Sequence, residues 1–171
     1  MLEVIKKRRS VRAYQEKPVE EEKIWEILKA VQMAPSANHR RPWEFVVVQD
    51  KNLKEKLSQA TPWGGFISQA PVAIVLCADE EKSRHWLEDA AIVGGYLYLE
   101  ATNQGLGTCW VQVRGSKTEK GEESEEYVRN LLGIPQNFRV VAIFPLGYPA
   151  EHLEPHQESE FEEEKVHLEK W

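Results

Sequence analysis

The chain has 171 residues, 28 acidic against 22 basic, and 42% of them are apolar. That length fits one domain with a core needing neither disulfide nor metal, and the apolar share excludes a disordered chain. The net charge of −6 argues against a general nucleic-acid surface, and no apolar run reaches the roughly 18 residues of a membrane span.

The first predicted element is a short amphipathic helix over 2–8, which lacks the apolar h-region and cleavage site of a signal peptide. A second helix spans 20–33, with an apolar stripe of Ile24, Ile27, Leu28 and Val31, and Pro35 and Ser36 stop it. Phe45–Val48 reads as a strand, 51–60 as a helix, and Ala73–Cys77 as a second strand. A long helix follows from about Arg84 to Gly105. Trp110–Val113 is a third strand, 123–132 a helix and Val140–Phe144 a fourth strand. Helices and strands mix without strict alternation, which favours an α+β fold. Residues 1–150 form the domain, and 151–171 a C-terminal arm belonging to it. Cys77 and Cys109 lack metal or redox spacing and sit among apolar residues, so they read as buried thiols of a reducing cytoplasm.

Two segments do not suit a solitary small domain. The long helix carries Leu87, Ala90, Ala91, Val93, Tyr96, Leu97, Tyr98, Leu99 and Ala101, apolar nearly all round, and such a helix is expected to be buried on every side. The highly charged tail ends with Val166, Leu168 and Trp171, the first two alternating with His167 and Glu169 as a strand would. A second copy of the chain would cover the helix and receive the arm. The plainer reading of the tail is a frayed terminus.

Lys6-Lys7-Arg8-Arg9-Ser10-Val11-Arg12 puts five cations into seven residues of an acidic chain. Guanidinium forks with a hydroxyl suit a phosphate dianion. Favourable charge at a helix C-terminus accounts for Lys6 and Lys7, but not for Arg9, Ser10 and Arg12 beyond it. Ala34 to Trp43 forms a loop between helix and strand, where backbone N–H groups and short side chains meet ligands. Gly105-Leu106-Gly107-Thr108-Cys109-Trp110 is not a dinucleotide fingerprint. That motif follows a strand and opens a helix, and its third glycine would fall on Trp110. No P-loop or nucleophile elbow is present. The histidines at 39, 85, 152, 156 and 167 share no ligand spacing, so no metal is expected.

Read together, R-R-S-V-R, A-P-S-A-N-H-R-R-P-W-E-F-V-V-V, W-L-E-D-A-A, G-L-G-T-C-W and L-L-G-I-P with P-L-G-Y-P resemble the nitroreductase family in kind and order, over nearly the whole chain. The resemblance implies a mixed, mainly antiparallel sheet flanked by helices, and an intertwined homodimer with the C-terminal arm exchanged. Two FMN sites would lie at its interface. It implies that Arg8, Arg9 and Ser10 bind the FMN phosphate and that Arg12 reaches the ring or ribityl chain. Pro35, Ser36 and Ala37 would line the flavin from the other subunit. His39 and Arg41 depart from the amide residues usual there, and Arg41 would face the N1–C2=O side of reduced flavin. Gln112, Val113, Arg114 and Gly115 would bring backbone groups to N5 and O4. For the basic residue that the family often adds near its C-terminus, only His156 or Lys165 is at hand. The implied activity takes hydride from NADH or NADPH and delivers electrons to a nitroaromatic, quinone or similar small electrophile. The alternatives are a specialised dehalogenating or ring-modifying flavoenzyme, a non-catalytic flavin carrier or sensor, and a phosphate-binding interaction module.

Overall fold

The computed structural model describes Met1–Trp171. Its elements are α1 (Glu3–Lys7), α2 (Glu21–Gln32), β1 (Trp43–Val48), α3 (Lys51–Leu57), β2 (Val72–Asp79), α4 (Trp86–Asn103), β3 (Gly107–Thr108), β4 (Val111–Gln112), α5 (Ser124–Leu132) and β5 (Phe138–Gly147). The strands form one sheet in the order β1-β2-β5-β3, with β4 also on β5, and every strand pairing is antiparallel. The α+β, mainly antiparallel expectation therefore holds. The one parallel contact is a bridge from Ser10 to Thr108.

Side-chain alternation sorts β2 between two cores. Ile74, Leu76 and Ala78 face the core shared with α2 and α4, while Ala73, Val75 and Cys77 face the one under α3 and α5. The predicted α2 stripe of Ile24, Ile27, Leu28 and Val31 is buried as a set. Burial pushes the Cys77 thiol up to about 12. Its folded-state value lies above the unfolded one, so this group's contribution to stability is complete below the ordinary thiol range. It is lost as pH rises toward 12. At pH 8 the native protein is expected to leave Cys77 unreacted with a disulfide reagent, and to expose both thiols on denaturation. Rapid native modification of Cys77 would contradict this placement.

Expected strand Trp110–Val113 is instead the second half of an interrupted strand. Gly107 and Thr108 pair with Gly147 and Leu146, and Val111 and Gln112 pair with Ile143 and Ala142, all in one register. The gap at Cys109–Trp110 falls opposite Pro145, which has no N–H to offer the ladder. Gly105 closes α4, at the expected end of the long helix. It takes φ 73°, with its N–H on Thr102 O and the Leu106 N–H on Ala101 O, which satisfies the helix's last carbonyls. Gly94 leaves room for an aromatic ring, since a Cβ there would stand 2.4 Å from the Trp110 Cζ3.

Within one chain α4 is covered on one side only. Asp89, Ala90, Val93, Gly94, Leu97 and Ala101 are buried, yet Glu88, Ala91, Ile92, Gly95 and Tyr96 form a solvent-facing stripe at helical spacing. The tail is no strand within one chain. Two single 3-10 turns precede Val166, Leu168 and Trp171, and Trp171 is fully exposed. No helix is long and apolar enough to cross a membrane.

Candidate anion and cofactor site

Past α1 the chain runs extended beside β3, so alternate side chains part company. Val11 enters the core, its methyls against Gly107, and its N–H donates to Thr108 O. Arg8 and Ser10 turn to Tyr98 of α4. The Arg8 guanidinium lies 5.4 Å from the centre of the Tyr98 ring, and Ser10 Oγ is 3.2 Å from the Tyr98 hydroxyl. Arg12 is exposed and folds back, Nη1 donating to Ser10 O at 3.3 Å. Neither Arg8 nor Arg12 has a side-chain carboxylate partner, because Glu151 accepts instead from the backbone N–H groups of Arg12 and Ala13. Two unneutralised guanidiniums and a hydroxyl fit a phosphate dianion.

Arg9 does not join them. It donates to Glu154 O and lines a separate cavity of about 450 Å³ with Lys7, Val11, Tyr148, Glu151 and His152. The alternation that buries Val11 turns Arg9 with it, a consequence that treating 8–12 as one cluster overlooks. The C-terminal segment crosses the cluster here. His156 Nε2 is 2.7 Å from Arg8 Nη2, and its Nδ1 is 2.6 Å from Glu160 Oε2. A guanidinium has no lone pair to offer, so Nε2 accepts from Arg8 and Nδ1–H donates to Glu160. That bond holds the Glu160 carboxyl below its usual range. Of the two C-terminal basic residues considered above, His156 is thus the one at Arg8. Lys165 pairs with Glu162 in the tail.

Tyr98 was missed as a site residue because its position in an apolar helix reads as core. Its hydroxyl accepts the Trp110 N–H at 2.6 Å, so its own proton is directed to Ser10 Oγ. A phenol is protonated at neutral pH, and burial raises its pKa further. Ser10 is left with its proton free for an incoming anion. Replacing Tyr98 with Phe removes one neutral hydrogen bond, worth ~0.5–1.5 kcal/mol. FMN affinity, followed by fluorescence titration, is expected to fall about 2- to 12-fold. An unchanged affinity would reduce Tyr98 to a spacer.

The next stretch belongs to the sheet. Val113 is fully buried, and its N–H and that of Arg114 both donate to Val141 O. The ladder thus occupies these two N–H groups, so among the backbone groups of 112–115 they are not the ones left for a ligand. Gly115, at φ 71°, lies just beyond it. Gln112 is held internally, accepting from Trp110 Nε1 at 2.8 Å and donating to Arg114 O at 2.7 Å. The Arg114 side chain packs 5.3 Å from the Trp86 ring centre, and its Nε is buried with no partner. A buried donor in that state is costly, and a ligand acceptor would relieve it.

The loop after α2 is separate again. Ser36 Oγ accepts the Arg41 N–H at 2.9 Å, and Asp89 Oδ1 accepts the Ala37 N–H at 2.8 Å. Pro35 precedes them at the surface. His39 and Arg41 adopt left-handed backbone, φ 56° and 44°, and line the largest cavity, about 770 Å³, with Trp25, Leu28, Trp43 and Phe45. This cavity is not at the phosphate cluster. Asp89 holds the loop and Tyr98 holds Arg8 and Ser10, and nine residues of α4 separate the two by about 13 Å along its axis.

These features define an α+β fold with two carboxylate-free guanidiniums and a hydroxyl gathered at one end of its central helix and a short polar loop near the other. The chain belongs to the Nitroreductase family, whose family model matches residues 5–64 and 58–148. An FMN-dependent nitroreductase from Clostridium difficile superposes with a TM-score of 0.96 at 41% identity, over 100% of both chains. A protein of Methanothermobacter thermautotrophicus, provisionally named NADH dehydrogenase/NAD(P)H nitroreductase, is 38% identical across all of this chain and 87% of its own length. The FMN reductase [NAD(P)H] of Bacillus subtilis is 32% identical over 88% of this chain and 68% of its own.

Proposed function

We propose that the chain is an FMN-dependent oxidoreductase, working as a homodimer in the reducing cytoplasm. It takes electrons from NADH or NADPH and passes them to a nitroaromatic, quinone or similar small electrophile. The observation that carries this reading is the pair of carboxylate-free guanidiniums, Arg8 and Arg12, flanking the Ser10 hydroxyl in an acidic member of the Nitroreductase family. Arg8 and Ser10 would hold the FMN phosphate, with His156 fixing the direction of Arg8, and Arg12 would reach the ring or ribityl chain. Arg114 and Gly115 from the same chain, and Pro35, Ser36 and Ala37 from the partner, would hold the ring. When bound, FMN supplies the redox chemistry. The protein binds, orients and excludes water.

Two features support a second copy. The exposed stripe of α4 combines Ala91 and Gly95, which permit close approach, with Ile92 and Tyr96. The outer edge of β1 has no strand beside it and borders the 770 Å³ cavity, while Val166, Leu168 and Trp171 stand in solvent. An edge strand of this kind takes up an extended segment, and one arm fits one edge. The test of the whole reading is an absorbance spectrum of purified protein, followed by cofactor release and mass measurement. Yellow protein releasing FMN is expected. A colourless protein that also fails to bind added FMN would refute it.

A further inference from the structure

Beside the Ala37 loop lies a second crevice, about 250 Å³, lined by Ala37, Asn38, Arg40, Ser83, Arg84 and His85. Two loops form its walls, and three hydrogen bonds tie them together. Arg40 Nη1 donates to Lys82 O at 3.1 Å, while Asp89 accepts the Ala37 N–H on Oδ1 and the Ser83 hydroxyl on Oδ2 at 3.1 Å. Both oxygens of the nearest buried carboxylate are thus occupied. No carboxylate lines the crevice.

The cations here are unneutralised. Arg40 and Arg84 make no ion pair, nor do Arg41 and Lys82, which line the adjoining larger cavity with Arg40. Arg139, a comparable surface arginine, is clamped by Glu125 and Glu80. In a chain of net charge −6, a crevice of free guanidiniums concentrates anions against the overall field. Arg84 Nε donates to His85 Nε2 at 3.1 Å, which sets the imidazole as acceptor and aligns the guanidinium. Asn38 and His39 hold left-handed backbone, φ 51° and 56°, a conformation that persists only where neighbouring contacts enforce it.

We propose that this crevice is an anion subsite for the electron acceptor, selecting aromatic electrophiles that carry a carboxylate. Arg40 and Arg84 bind the anionic group, and the ring lies toward Ala37. The inference rests on the flavin reading above, since Ala37 is one of the residues assigned to the ring.

The test compares 4-nitrobenzoate with its neutral isostere 4-nitrobenzamide, using FMN-loaded protein and a fixed nicotinamide donor. Wild type is expected to favour the carboxylate in kcat/KM by about tenfold or more, the scale of one charge-assisted hydrogen bond. In the double variant Arg40→Gln, Arg84→Gln the two acceptors are expected to converge through loss of the carboxylate's advantage. Benzoate and benzamide, titrated against flavin absorbance without turnover, are expected to show the same pattern in Kd. No carboxylate preference in wild type, or one that survives both substitutions, would overturn the proposal. So would a variant that raises KM for the donor and leaves acceptor selectivity intact, because the cations would then serve the donor's phosphates. If no acceptor is turned over at all, the reductase reading fails, and the benzoate titration still decides the subsite.

Discussion

Truncation before Glu164 is expected to dissociate the dimer and release FMN over the same protein concentrations. The removed residues include Val166, Leu168 and Trp171, which have nothing to cover them within one chain. Each would contribute roughly 1.5–3 kcal/mol if fully buried against the partner. The landing place proposed for them is the partner's open β1 edge, with Trp25, Leu28 and Phe45 beside it. Coupling follows from linkage: a site completed by two chains binds its ligand in proportion to the fraction of chains that are paired, and the bound ligand in turn favours pairing. Sedimentation monitored at flavin wavelengths measures both quantities together. A truncated protein that stays dimeric and yellow at low micromolar concentration would leave the arm without a role, with the α4 stripe sufficient.

Substitution of Arg8 by Ala is expected to weaken FMN by about 10- to 150-fold while leaving riboflavin nearly unaffected. A charge-assisted hydrogen bond is worth ~1.5–3 kcal/mol, and the quoted range is that energy expressed as affinity. Arg8 is the better target than its neighbour because its guanidinium stands with Ser10 at Tyr98, whereas Arg9 is turned to Glu154. Arg9→Ala is accordingly expected to have the smaller effect on FMN. Equal losses for FMN and riboflavin in the Arg8 variant would show that Arg8 holds something other than the phosphate.

Much of this architecture was legible in the order of residues. Helical periodicity located α2, a long stretch apolar nearly all round located α4, and apolar runs located β1, β2 and β5; in β2 and β5 burial on both faces leaves little choice of residue. What escaped was set by partners distant in sequence. Pro145 breaks the strand opposite it, so β3 and β4 appear as two stubs, and no local pattern around Gly107 records that. Arg9 reads as part of a basic run until Val11 is seen to need the core, which turns both side chains together. Tyr98 looked like any aromatic in a buried helix. Its role depends on the Trp110 amide twelve residues on and on Ser10, eighty-eight residues back. The arm's fate is undecided by one chain, because an extended segment without an edge to join has no reason to become a strand.

α4 carries two attachment points on one rigid rod, Asp89 for the Ala37 loop and Tyr98 for Ser10 and Arg8. Their separation and their relative angle are therefore fixed by helical phase. One residue inserted between them would rotate Tyr98 by about 100° relative to Asp89, carrying the hydroxyl off Ser10 and bringing part of the exposed stripe inward. Four inserted residues would nearly restore the angle but lengthen the rod by about 6 Å. This stretch of helix thus resists change in length, quite apart from the demands on its individual side chains. At the loops and termini no such vernier is set.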